Sequence, residues 1–146
     1  MKNRLEQTID IARSFIGTPY KYGVRPEEIP KFFDCSSFIQ YIYKKGIGIN
    51  LERSTILQAT QGTEIPPNEE FQIGDLLFFR GSRGHYNDEL FPNKKVYIGH
   101  VAIYSGNGKA IHAASPMGVI EEDVSKIVKL RGPVVMVKRI FIIRAL

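Results

Sequence analysis

A chain of 146 residues with 43% hydrophobic and 24% charged side chains has the size and balance of one globular domain. That excludes a disordered chain, a collagen-like repeat and two full domains. The net charge of +5 favours an anionic partner such as nucleic acid, an acidic lipid surface or an acidic polymer. The basic residues are scattered, however, with no run of four or more, which is the pattern of general surface charge.

A single cysteine rules out a disulfide framework. No apolar run approaches the roughly 18–20 residues of a membrane span; the longest candidate, near the C-terminus, is broken by Lys138 and Arg139. Residues 2–7 are polar and charged, so no apolar signal-peptide segment follows Met1. Two settings stay open on that reading. The chain is cytoplasmic, or it acts in the cell envelope or outside it, by another export route or with an export segment outside this sequence.

Asn3 and Glu6 form a capping-box pattern, and Leu5, Ile9, Ala12 and Ile16 recur at helical spacing up to Gly17. Residues 17–30 are rich in Gly and Pro and read as a loop. Asp34 is the expected N-cap of a second helix, with Phe38, Ile39 and Ile42 as its apolar stripe and Gly46 as its stop. A short third helix is expected over residues 54–61, before Gly62. The character then changes: residues 75–80 read as a short buried strand and 81–95 as a long polar loop. Residues 96–104, 109–114, 119–122 and 134–143 read as further strands. Helices first and strands afterwards imply an α+β fold with a mainly antiparallel sheet, one domain over residues 1–146.

The second helix places Cys35 in its first turn, where unsatisfied backbone amides favour thiolate over thiol and can stabilise an oxyanion. The alternative is a packed thiol with no chemistry. A nucleophilic thiol needs a base, and there are three histidines. His85 lies in the polar loop and reads as solvated. His100 and His112 sit on successive strands, with Gly106, Asn107 and Gly108 between them as turn residues.

A turn of Asn107 and Gly108 alone would pair His112 with Ile103 and send the two histidines to opposite faces. A loop of Gly106, Asn107 and Gly108 pairs His112 with Ala102, making it the diagonal neighbour of His100, roughly 7–8 Å away at the backbone. Val101 and Ile103 then face the core, and His100, Ala102 and Tyr104 face the other way. The longer loop yields a thiol, a base and an orienting group, the general layout of a cysteine nucleophile site; an incidental exposed His pair is the alternative. Zinc is disfavoured, because one Cys and two distant His have no close ligand-pair spacing, and no cofactor is expected.

Five short segments occur in a characteristic order: Gly17-Thr-Pro-Tyr20-Lys-Tyr-Gly23, Phe33-Asp-Cys35-Ser-Ser-Phe, Ile73-Gly-Asp75-Leu-Leu-Phe-Phe79, Gly99-His100-Val-Ala-Ile-Tyr104 and Ala110-Ile-His112-Ala. With Arg53-Ser-Thr and Gln58 between helix and sheet, the chain resembles the NlpC family of papain-like cell-wall cysteine peptidases. The resemblance implies a papain-like arrangement, Cys35 as nucleophile, His100 as general base, His112 as orienting residue, and Tyr20 beside the nucleophile, helping to shape the oxyanion site. It implies Asp34 and Ser36 as subsite residues for a peptide amine, with Asp34 as a plain N-cap the competing reading. The chain departs from the family pattern at Ser37, at Val24 and in the length of the 81–95 loop.

The implied substrate is a peptidoglycan stem peptide, cut between D-glutamate and a diamino acid, with Arg53, Arg80 and Arg83 as candidate partners for the substrate carboxylate. Rival readings are a CHAP-type amidase, an acyltransferase on the same scaffold, a non-catalytic wall-binding module and a basic nucleic-acid-binding domain. A complete Cys/His/His set disfavours the two pure binders, so no nucleic-acid partner is expected. Oligomeric state is open.

Overall fold

The computed structural model describes residues 2–81, 89–92 and 95–141. Helix α1 (Arg4–Ser14) opens with the capping box foreseen, the Glu6 N–H donating to Asn3 Oδ1 at 2.8 Å. A 3-10 turn (Pro26–Glu28) interrupts the following loop. Helix α2 (Cys35–Ile47) runs through Gly46 and stops at Gly48, whose left-handed φ of 79° makes it the cap.

Gly46 is interior because α1 lies against it: a Cβ there would fall 1.9 Å from Thr8 Oγ1 and 2.9 Å from the Thr8 Cα. Helix α3 (Thr55–Gln58) is shorter than the 54–61 expectation, with Ser54 as its N-cap.

The strands are β1 (Thr63–Glu64), β2 (Leu76–Phe79), β3 (His100–Gly106), β4 (Lys109–Ala114), β5 (Gly118–Asp123) and β6 (Val134–Arg139). They form one antiparallel sheet in the order β1-β6-β2-β3-β4-β5. The expected strand at 96–104 begins only at His100, and the end of the expected 134–143 strand lies outside the described residues. Helix α4 (Val124–Arg131) has no counterpart in the sequence reading.

The sheet is buried on both faces. Leu76, Phe78, Val101, Ile103 and Ile111 pack against Ile9, Phe38, Ile39 and Ile42 of α1 and α2. Leu77, Phe79, Ala102, Ala110 and Val137 form a second cluster with Ile127 of α4. The face carrying His100, Ala102 and Tyr104 is therefore a second core, which explains why β2 is an unbroken apolar run instead of an alternating one.

Asp75, fully buried, joins β2 to β6 by accepting from Arg139 Nε at 2.9 Å and Nη2 at 3.0 Å. It also accepts the Gln72 N–H at 2.8 Å. The Ile73-Gly-Asp motif is thus a structural clasp. No helix among the described residues is long and apolar enough to cross a membrane.

Candidate active site

The open end of the sheet, where β3 begins and β4 ends, forms one wall of a cleft of about 580 Å³ whose other wall is the N-terminus of α2. Cys35, His100, Tyr20, Asp34 and Ser36 all line it. His85 and Arg83 lie outside the described residues, as does most of the 81–95 loop.

Cys35 is the first residue of α2. Its N-cap, Asp34, accepts the Ser37 N–H at 2.9 Å, while Ser37 Oγ accepts the Asp34 N–H at 2.9 Å. The serine that departs from the family pattern therefore completes a capping box.

The rest of the Asp34 carboxylate is held by Arg53, Nη2 to Oδ2 at 2.7 Å and Nη1 to Oδ1 at 3.1 Å. Arg53 also donates to Ser36 Oγ at 2.9 Å and to the Val24 carbonyl at 3.0 Å. Buried Gln58 donates to the Ser36 carbonyl at 2.9 Å and to the Glu52 carbonyl at 2.8 Å. The Arg/Gln segment is thus the brace of the turn that carries Cys35, and Asp34 is N-cap and ion-pair partner while still facing the cleft.

Tyr20 is half-buried and held beside this turn by a parallel bridge to Phe33. The Phe33 N–H donates to the Pro19 carbonyl at 3.2 Å and the Lys21 N–H to the Phe33 carbonyl at 3.0 Å. Burial, Cys35 and Asp34 push its phenol up, so it stays protonated and able to donate.

The hairpin carries the histidines as the diagonal argument requires, by a different turn. Ile103 opposes Ile111 and Tyr104 opposes Ala110, the register of the longer loop. The turn itself is Asn107 and Gly108, Gly106 pairs with Lys109, and a bulge at Ser105 restores the parity. His100 Nε2 lies 2.7 Å from His112 Nδ1, the rings nearly perpendicular at 77°.

Both histidines are buried, at 5% and 1% exposure. His112 Nε2 in turn lies 2.6 Å from Glu122 Oε2 on β5. Glu122 was not found from the sequence, although the same diagonal arithmetic reaches it: His112 opposes Ile120, and Glu122 stands two residues further on that face.

The electrostatics overturn one expectation. Burial pushes the Cys35 thiol up and the Asp34 carboxylate adds to it; the Thr55 hydroxyl, 3.4 Å from Sγ, and the Val101 and Ser36 backbone offset this only in part. Burial first, then His112 and Arg131, hold His100 well below 6.5. The resting pair is a thiol and a neutral imidazole.

Of the arginines singled out for a substrate carboxylate, Arg53 is already committed to Asp34. Exposed Arg80 stacks over Tyr97 at 5.4 Å and is not among the residues lining the cleft. The second guanidinium on the cleft is Arg131, at the end of α4, which donates to the Ser115 carbonyl at 2.7 Å. Among the described residues, no group of three or more His, Cys, Asp or Glu side chains is placed to hold a metal.

An α2 thiol facing a strand-borne imidazole across a cleft defines the papain-like class of α+β folds, and the comparisons agree. The NlpC/P60 family model matches residues 17–132, and the chain belongs to this family. It is 35% identical over 138 residues to γ-DL-glutamyl hydrolase of Bacillus subtilis, covering 92% of this chain and 30% of that protein. It is 31% identical over 118 residues to the probable endopeptidase NlpC of Escherichia coli, covering 81% of this chain and 67% of the relative. The solved structure of the peptidoglycan hydrolase RipB from Mycobacterium tuberculosis superimposes with a TM-score of 0.67 at 27% identity, over 96% of this chain and 66% of that one. The chain spans 30% and 67% of the length of these two curated relatives.

Proposed function

We propose that this domain is a cysteine peptidase that hydrolyses peptidoglycan stem peptides at the bond from the γ-carboxyl of D-glutamate to a diamino acid. The observation that carries the reading is the cleft in which a helix-N-terminal thiol faces a buried imidazole backed by a second histidine. His100 takes the Cys35 proton as Sγ attacks the γ-carbonyl carbon. The oxyanion forms beside the first backbone amides of α2, with the Tyr20 phenol as a further donor. His100 returns the proton to the departing amine as the C–N bond breaks, leaving a thioester. A water that gives its proton to His100 then cleaves the thioester, releasing the acid and restoring the thiol.

The relation to a γ-DL-glutamyl hydrolase supports the glutamyl bond. So do the charges on the cleft, whose lining includes the Asp34 carboxylate for an amine and the Arg131 guanidinium for a carboxylate. A desolvated carboxylate needs such a partner.

The test is digestion of a diaminopimelate-type wall, read by mass spectrometry, with Cys35→Ala as blank. The expected products are cut between D-glutamate and the diamino acid, and both Cys35→Ala and His100→Ala lose on the order of 10⁴-fold in turnover because the pair acts as a unit. Products cut between the sugar lactyl group and L-alanine would establish an amidase instead. Acyl transfer or wall binding without any cleavage would overturn the peptidase reading.

A further inference from the structure

We infer that Glu122 is a positioning residue of this site, selecting the tautomer of His100 from two rings away. The inference rests on the catalytic reading of His100 given above and adds a residue to it. Three neighbouring strands carry the arrangement: His100 on β3, His112 on β4 and Glu122 on β5. The contacts are short, 2.7 Å between the rings and 2.6 Å from ring to carboxylate, and all three side chains are buried.

A carboxylate can only accept, so the proton shared with Glu122 sits on His112 Nε2. A neutral His112 then presents Nδ1 as a lone pair, which must accept from His100 Nε2–H. That leaves His100 Nδ1 unprotonated, the one ring nitrogen able to take the Cys35 proton. Remove the acceptor at Glu122, and His112 is free to carry its proton on Nδ1 and donate to His100 Nε2. The proton of His100 then moves to Nδ1, and the base is lost with its geometry intact. During attack His100 becomes an imidazolium, and its charge is stabilised along the same line. On His112 the Glu122 carboxylate works against both burial and the Arg131 charge.

Two variants and two readouts test this. Glu122→Gln offers an amide that can donate to His112 as well as accept from it, and Glu122→Leu removes the acceptor. Each should lower kcat about 100-fold or more, KM staying nearly unchanged in both. The second readout is the histidine side-chain ¹⁵N spectrum of the ligand-free protein. His100 should carry its proton on Nε2 in the native chain and should shift toward Nδ1 in both variants. An unchanged His100 tautomer in folded Glu122→Leu overturns the inference, as does a kcat equal to the native value in both variants. The spectrum needs no substrate, so a wrong assignment of the cleaved bond leaves that arm standing.

Discussion

A thiol at the first residue of a helix feels opposing influences. The free backbone amides favour the thiolate, whereas burial and the neighbouring Asp34 carboxylate favour the thiol. At Cys35 the second pair wins, and the thiol is pushed up. His100 is displaced the other way, below 6.5. Both displacements favour a thiol beside a neutral imidazole. Iodoacetamide labelling of Cys35 should rise with pH around a midpoint above the ordinary thiol value of about 8.5, while kcat/KM should persist below pH 6.5 and fall only when His100 is protonated. A labelling midpoint near neutrality would show a preformed thiolate–imidazolium pair instead. Sequence reading weighed the helix amides and an imidazolium, because the burial of both groups and the Arg131 charge near His100 arise from distant segments.

At the scale of elements, the helices and the sheet differ in how much of them was legible. The α1 capping box and the β3–β4 parity follow from local chemistry and the two-residue period of a strand, so both are readable. Gly46 is different: two glycines close the segment, and only the approach of α1 tells the interior one from the cap. Gly46→Ala would gain up to about 1 kcal/mol of helix propensity, but its Cβ would meet Thr8 Oγ1 at 1.9 Å. Overpacking of this kind costs roughly 1–3 kcal/mol, so urea unfolding should show net destabilisation, partly relieved by Thr8→Ala. A variant as stable as the native chain would mean that α1 can move away. Helix α4 was missed for a related reason. Val124, Ile127 and Val128 favour strands locally, and the burial of Ile127 behind the sheet overrides that preference. Glu122 was missed because the pairing of β5 was not carried through as that of β3 and β4 was.

The whole molecule inherits a pH response from its buried rings. His100 and His112 are both held below 6.5, so as pH falls below about 6.5 the unfolded chain binds protons that the folded chain refuses. Stability should therefore decline from pH 6.5 downward. The paired carboxylates act in a lower window: Glu28 is held at about 2, chiefly by Lys21, and Glu121 is lowered by Arg13. Their stabilisation is present above the ordinary carboxylate range and is lost as pH falls through the folded values. Thermal unfolding followed from pH 7 to pH 5 should show a falling Tm, with a shallower slope in His100→Gln. A flat native profile over that interval would mean the rings ionise in place.

The proposed nucleophile and base belong to different layers, Cys35 to α2 and His100 to β3. The gap between them is measured out by Phe38, Ile39 and Ile42 pressed on Val101, Ile103 and Ile111. Side chains that never meet a substrate thus act as the gauge blocks of the reaction. Removing a methylene from that layer resets a reacting distance as well as opening a void, so turnover should suffer before the fold fails. An engineer seeking a sturdier variant should leave this layer alone and work on the solvent-facing side of α1.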